Sequence, residues 1–296
     1  MKKTIFRGSG VAIVTPMNED FSVNYEEFER LIEFQISNGT DAIIVCGTTG
    51  ESATMNSEEY SEIIKFTVEK VNGRVPVIAG SGSNNTAIAL EHSLVAQKLG
   101  ADALLIVTPY YNKSSQQGLI NHYTYIADRV NIPIILYNVP SRTGCNIKPE
   151  TYAKLAKHPN IVAIKEASGD ISAVAQTMAL CGNELAVYSG CDDQIVPIMS
   201  LGGLGVISVF ADICPKESHE LTQKALEGDF ESAGKMQLHY LELMNVLFSD
   251  VNPIPVKAAL NLMGYDCGYC RMPLAPMSES GINNLKEVLK KYGLIG

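Results

Sequence analysis

The chain has 296 residues, 46% of them hydrophobic, which is enough to bury a sizeable core in one large domain or two small ones and excludes disorder. Its 23 basic and 32 acidic residues give a formal charge of -9, which removes the electrostatic footprint of a nucleic-acid or anionic-membrane binder. No stretch approaches about 18 to 20 uninterrupted apolar residues, and the first ten residues lack the apolar core of a signal peptide, so the expectation is a soluble cytoplasmic protein. The seven cysteines are odd in number and scattered, which fits reduced thiols better than a disulfide framework.

Short apolar, β-branched runs recur at residues 11–14, 42–45, 75–79, 103–107, 132–136, 161–164, 185–187 and 206–209. Their hydrophobicity is continuous rather than alternating, the pattern of a strand covered on both faces in a parallel sheet. Helical patterns lie between them. Phe28, Leu31, Ile32, Gln35 and Ile36 keep helical spacing after the first run, as do Ile63, Ile64, Thr67, Val68 and Val71 after the second. Asn56 with Glu59 reads as a capping box, and Asp170 and Asp192 stand where N-caps are expected.

Eight strand-then-helix units spaced by about 20 to 35 residues match the repeat of a (β/α)8 TIM barrel. A doubly wound open sheet is the rival, but a glycine-rich nucleotide loop is expected after its first strand, where this chain has Thr15-Pro16-Met17-Asn18. The barrel units end near Gly228, giving a catalytic domain over residues 1–228. Residues 229–296 hold further helical stretches and no strand-like run, and read as an appendage packed on the barrel or on a neighbouring subunit.

Active sites of such barrels lie at the C-terminal ends of the strands. The sixth strand ends in Lys165-Glu166, and period-two alternation puts Lys165 on the face of Ile161 and Ala163, with Glu166 opposite. If that face is the barrel interior, desolvation favours the neutral amine, the nucleophile needed for a Schiff base with a ketone. The alternative is a strand-end lysine reaching solvent or pairing with Glu166. Tyr137 ends the neighbouring strand and could shuttle protons, or be an ordinary half-buried aromatic. Arg142, in the following loop, suits a carboxylate, although a lone loop arginine is often only solvated.

The turn Gly47-Thr48-Thr49-Gly50-Glu51-Ser52 follows the second strand and presents hydroxyls with backbone N–H groups, a concavity suited to a carboxylate or simply a turn. Tyr110-Tyr111 follows the fourth strand, at the mouth or at a subunit contact. None of the five histidines falls at a strand end, which argues against a histidine-ligated metal and a Ser-His-Asp triad. Cys267 and Cys270 have redox or zinc spacing but no second cysteine pair. Asp192 and Asp193 after Gly190 would repel a phosphate, and there is no P-loop or dinucleotide fingerprint, so neither cofactor nor metal is expected.

Taken together, Gly47-Thr48-Thr49-Gly50-Glu51, Tyr110-Tyr111-Asn112-Lys113, Tyr137-Asn138-Val139-Pro140-Ser141-Arg142-Thr143-Gly144 and Lys165-Glu166-Ala167-Ser168 resemble the signature of the dihydrodipicolinate synthase family of pyruvate-dependent aldolases, over essentially the whole chain. The resemblance implies that Lys165 forms the Schiff base with pyruvate and that the resulting enamine attacks L-aspartate 4-semialdehyde. It also implies Tyr137 as the proton shuttle, linked through Thr48 to Tyr111 of the adjoining subunit. Thr49 would then hold the pyruvate carboxylate and Arg142 that of the semialdehyde, while Gly190 and Ile207 line the pocket through backbone groups. Members are homotetramers built as dimers of dimers. Related sialic-acid lyases usually have serine before the second threonine and lack the arginine, which leaves N-acetylneuraminate lyase or a keto-deoxy sugar acid aldolase as the alternative activity. A catalytically silent barrel that senses pyruvate-like acids is the non-enzymatic one.

Family members inhibited by L-lysine carry two histidines and a glutamate where this chain has Ser57, Tyr60 and Ile88. Loss of those charge-assisted partners implies weak or absent lysine feedback.

Overall fold

The computed structural model describes residue 2 and residues 4–296. In chain order it runs β1 (Gly8–Ala12), α1 (Tyr25–Ser37), β2 (Ala42–Val45), α2 (Ser57–Val71), β3 (Val77–Gly80), α3 (Thr86–Lys98), β4 (Ala103–Val107) and α4 (Gln116–Ala127). It continues through β5 (Ile134–Asn138), α5 (Pro140–Thr143), α6 (Pro149–Leu155), β6 (Ile161–Glu166), α7 (Ile171–Cys181), β7 (Ala186–Ser189), α8 (Ile195–Ser200), β8 (Gly205–Ser208) and α9 (Pro215–Leu226). Three helices follow: α10 (Phe230–Val246), α11 (Ile254–Leu262) and α12 (Glu279–Lys291).

All eight apolar runs become strands of one closed parallel barrel in sequential order, sealed where β1 pairs with β8. At that seam Gly205 has φ of 149°, and a Cβ there would sit 1.8 Å from the Gly8 carbonyl oxygen. Only glycine lets the two backbones meet. The continuous hydrophobicity has the expected cause, since each strand is covered twice. Ile44, Ile78, Leu105 and Ile135 fill the barrel interior, while Ile43, Val45, Leu104 and Ile134 meet the helix layer.

Local signals hold in most places. The Asn56 side chain accepts from Glu58 and Glu59 N–H while Glu59 reaches back to Asn56 N–H, a full capping box, and Asp170 caps α7. Phe28, Leu31, Ile32 and Gln35 form the buried face of α1. Asp192 departs from expectation. It lies inside a 3-10 turn rather than at an N-cap, and its buried carboxyl takes Ser208 Oγ at 2.6 Å and the Val209 and Phe210 N–H groups at 3.1 and 2.9 Å. Its function is therefore to tie the loop after β7 to the end of β8.

The C-terminal helices pack on the barrel: α10 lies against α8 and α9, and α11 against α12 and the Phe210–Asp212 turn after β8. Cys267 accepts a backbone bond from Met17 N at 3.0 Å, which joins this segment to the β1–α1 loop. Among the described residues, no helix is long and apolar enough to cross a membrane, and no group of three His, Cys, Asp or Glu side chains could hold a metal ion.

Candidate active site

Lys165 is 5% exposed at the C-terminal end of β6. It is in register with Tyr137 on one side and Tyr188 on the other, and its Nζ lies 4.5 Å from the centroid of the Tyr137 ring. The amine therefore points into the barrel, against an aromatic face. One detail of the alternation is different from the sequence reading. The β5–β6 register slips by one residue, with Ile134 opposite Ile161 but Ile135 opposite Ala163. Val162 and Ala163 consequently both belong to the interior cluster, whereas Ile161 joins the outer one. Lys165 thus shares its face with Ala163 and not with Ile161, because the bulge resets the period within the strand.

Glu166 faces the other way. Its carboxylate accepts from Asn138 Nδ2 at 3.1 and 3.2 Å, Tyr152 Oη at 3.0 Å and Ser168 N at 2.8 Å. Burial pushes its proton affinity up, and these donors hold it partly back. It makes no ion pair with Lys165, so the reading of Lys165 as a strand-end salt bridge does not hold.

Two buried acids stand near Lys165, one of them, Asp212, without any signal in the sequence. Asp192 and Asp212 are 3% and 2% exposed, and both feel the Lys165 charge. Burial raises both above the usual carboxylate range, Asp212 well above it, with the Asp192 carboxyl adding to that shift. Asp212 Oδ1 accepts from Val14 N at 3.1 Å, while its Oδ2 has no partner among the described residues. Only the clustering of strand ends brings these acids to the lysine. Gly190, after β7, keeps its place for a steric reason, since a Cβ there would lie 3.1 Å from Lys165 Cε and 2.8 Å from Ala167 Cβ. Ile207 on β8 is fully buried in the interior cluster with Tyr137 and Tyr188.

A cleft of about 540 Å³ adjoins the lysine site through the Tyr137 ring, with Thr48, Tyr110, Arg142 and Thr143 in its other walls, and Lys165 itself is not among its lining residues. Thr49 lies behind it, 2% exposed, and accepts from Asn252 Nδ2 at 3.1 Å. Arg142 is exposed and donates to the Asn252 carbonyl at 3.2 Å. Among the described residues, neither Thr48 Oγ1 nor Tyr137 Oη has a hydrogen-bond partner, so the relay implied by the sequence is not closed within one chain. Tyr111 is 91% exposed, with φ of 69°. The fold gathers Thr48, Tyr137, Arg142, Lys165, Gly190 and Ile207 at one end of the barrel and leaves Tyr111 outside. Cys267 and Cys270 are buried free thiols, Cys270 pushed up to about 12 by burial.

The outer part of the same cleft is lined by Ser52, Ala53, Asn84 and Ile88, with Tyr60 and His92. His92 comes from α3, and its ring stacks on Tyr60 at 4.6 Å. Sequence reasoning had placed no imidazole here. Burial lowers the His92 pKa, so the ring is neutral at neutral pH.

The profile of the Dihydrodipicolinate synthetase family matches residues 5–292. A 4-hydroxy-tetrahydrodipicolinate synthase of Thermoanaerobacter sp. (strain X514) is 59% identical over 292 residues, 98% of each chain. The crystal structure of a chloride-inhibited dihydrodipicolinate synthase from Acinetobacter baumannii complexed with pyruvate superposes with a TM-score of 0.97 at 44% identity, covering 99% of this chain and 100% of that one. A dihydrodipicolinate synthase from Cyanidioschyzon merolae with lysine bound gives 0.96 at 41% identity, again covering 99% and 100%. A family match over nearly the whole chain, with a lysine and a tyrosine side by side in the barrel mouth, places this chain in the dihydrodipicolinate synthetase family.

Proposed function

We propose that this protein condenses pyruvate with L-aspartate 4-semialdehyde to give 4-hydroxy-tetrahydrodipicolinate, as a lyase of the Schiff-base aldolase type in diaminopimelate and lysine biosynthesis. The observation that carries this reading is the buried Lys165 amine beside the Tyr137 ring at the open end of the barrel. The amine adds to the pyruvate ketone, and loss of water leaves an imine. Removal of a methyl proton gives the enamine, whose carbon attacks the aldehyde of the semialdehyde. The semialdehyde's amino group then adds to the imine carbon and expels Lys165, closing the ring.

Each neighbouring group has a role in this scheme. Tyr137 carries protons to and from the pyruvate methyl carbon and the aldehyde oxygen, passing them through Thr48 to Tyr111 of an adjoining subunit. The exposure of Tyr111 supports that donation, because a tyrosine left in water by its own subunit is free to enter a neighbour's site. Thr49 binds the pyruvate carboxylate, Arg142 that of the semialdehyde, and backbone groups of Gly190 and Ile207 line the pocket. Residues 1–228 form the catalytic domain and residues 229–296 a helical extension packed on it. The working assembly is a cytoplasmic homotetramer built as a dimer of dimers. Lysine feedback is weak or absent.

Borohydride reduction in the presence of pyruvate, followed by peptide mass mapping, tests the core of this reading. An adduct on Lys165 is expected. No adduct, or one on another lysine, rejects the assignment, and turnover with aspartate semialdehyde against N-acetylmannosamine separates the synthase from a sialic-acid lyase.

A further inference from the structure

Thr49 lies in the turn after β2 and Arg142 in the short helix α5, where the sequence suggested a loop, yet both are bonded to one residue outside the eight strand-helix units. Asn252 lies between α10 and α11. Its Nδ2 donates to Thr49 Oγ1 at 3.1 Å, and its backbone carbonyl accepts from Arg142 Nη2 at 3.2 Å. Asn252 is 5% exposed and Thr49 2%, so water hardly competes for the first bond. A hydroxyl has one proton and two lone pairs. With an amide N–H on its oxygen, Thr49 has its own proton left to donate, which is the polarity that an anion requires. Asn252 Oδ1 is buried without a partner among the described residues. The amide is thus not satisfied by a local network, and among the described residues its only side-chain bond is the one to Thr49. The same segment grips the loop a second time, since Lys257 on α11 bonds the buried carboxylate of Glu51, two residues beyond Thr49, at 2.8 Å.

We propose that Asn252 is a positioning residue for both carboxylate-binding groups: its amide sets the direction of the Thr49 hydroxyl and its carbonyl steers the Arg142 guanidinium, so that the C-terminal extension completes the substrate site. This rests on the assignment of Thr49 to the pyruvate carboxylate and Arg142 to that of the semialdehyde. Truncating the side chain removes only the first arm, because the backbone carbonyl stays.

The test is steady-state kinetics on the full-length enzyme with both substrates varied, for Asn252→Ala, Asn252→Asp, Thr49→Ala and the Thr49→Ala/Asn252→Ala pair. Asn252→Ala should raise KM for pyruvate on the order of tenfold while KM for the semialdehyde moves by less than about threefold and kcat changes little. Asn252→Asp keeps the shape but accepts the Thr49 proton and adds a negative charge, so its pyruvate KM should rise further. Adding Asn252→Ala to Thr49→Ala should change nothing more, since the amide acts through that hydroxyl. A pyruvate KM for Asn252→Ala within about twofold of the parent enzyme, or equal rises in both KM values that add to those of Thr49→Ala, overturns the proposal. If Asn252→Ala does not fold, the isosteric Asn252→Asp carries the same readings. A Thr49→Ala enzyme with unchanged pyruvate KM instead refutes the carboxylate assignment itself, and the proposal with it.

Discussion

Glu51 and Lys257 form an ion pair 2.8 Å long in which the two side chains are only 2% and 1% exposed. The second Glu51 oxygen accepts from Arg271 N at 2.8 Å, and Lys257 also donates to the Tyr269 carbonyl at 3.0 Å, so both charges are well served with hydrogen bonds. Removing one partner strands the other. Lys257→Met should destabilise the protein by about 3 to 5 kcal/mol, read as a fall in the urea midpoint, whereas Glu51→Gln/Lys257→Met should recover a large part of that loss. Equal midpoints for the single and double variants would contradict the desolvation argument.

Gly190 is predicted to be intolerant of even a methyl group. Its Cβ would stand 2.8 Å from Ala167 Cβ and 3.1 Å from both the Glu166 carbonyl oxygen and Lys165 Cε, and the lysine stem is the most easily displaced of the three. Gly190→Ala should lower kcat by about tenfold to a hundredfold through misplacement of the amine. Thermal stability should fall as well, because the 2.8 Å contact with Ala167 Cβ is not relieved by moving the lysine. An alanine enzyme with parental kcat would show that the lysine position is not critical.

The exposure of Tyr111 leads to a mixing experiment. Tyr111→Phe and Lys165→Ala enzymes should each be nearly inactive, the first with its Schiff base still trappable. After unfolding and refolding together in equal amounts, random pairing should restore roughly a quarter of the sites, because each mixed dimer then holds one site with both native side chains. Recovery absent from a verified mixture would place the function of Tyr111 within its own chain.

Acid stability should carry the signature of His122. Its ring is buried, with Nδ1 bonded to Thr86 Oγ1 at 2.9 Å and Nε2 without a partner among the described residues, and burial lowers its pKa from the ordinary 6.5 to about 4. Between those two values the unfolded chain binds the proton and the folded chain does not. Stability from this group is therefore complete above pH 6.5 and is lost as pH falls toward 4, by up to about 3 kcal/mol. Asp192 and Asp212, whose affinities are raised, act with the opposite sign, so the comparison must be made against His122→Gln. The variant should flatten the pH dependence of the urea midpoint in that window, and parallel curves would rule out the ring as its source.

Lysine feedback should be weak. In the outer cleft an ammonium would meet Ser52, Asn84, the Tyr60 ring and a neutral His92, with no carboxylate among the lining residues. Half-inhibition is expected above roughly 1 mM lysine, a binding free energy weaker than about -4 kcal/mol. Strong inhibition at micromolar lysine in a steady-state assay would show that the imidazole contributed by α3 is enough.

The sequence by itself carried the architecture, because continuous apolar runs record burial on both faces of a strand and helical spacing records a single buried stripe. It also carried Lys165, Tyr137 and the threonine turn, since a reactive side chain ending an apolar run marks the barrel mouth. Other features depend on closure of the barrel. The slipped register at Val162, the Asp192 carboxyl turned onto β8, and Asn252 resting on Thr49 across 203 positions leave no local pattern. Hydrophobic periodicity reports which face a residue buries over a few neighbours, whereas contacts between distant segments are fixed by how loops of particular length meet once the strands have paired. For that reason a lysine ending an apolar strand at the barrel mouth could be read from the chain, and the contacts of Asn252 with Thr49 and Arg142 became visible only in the folded molecule.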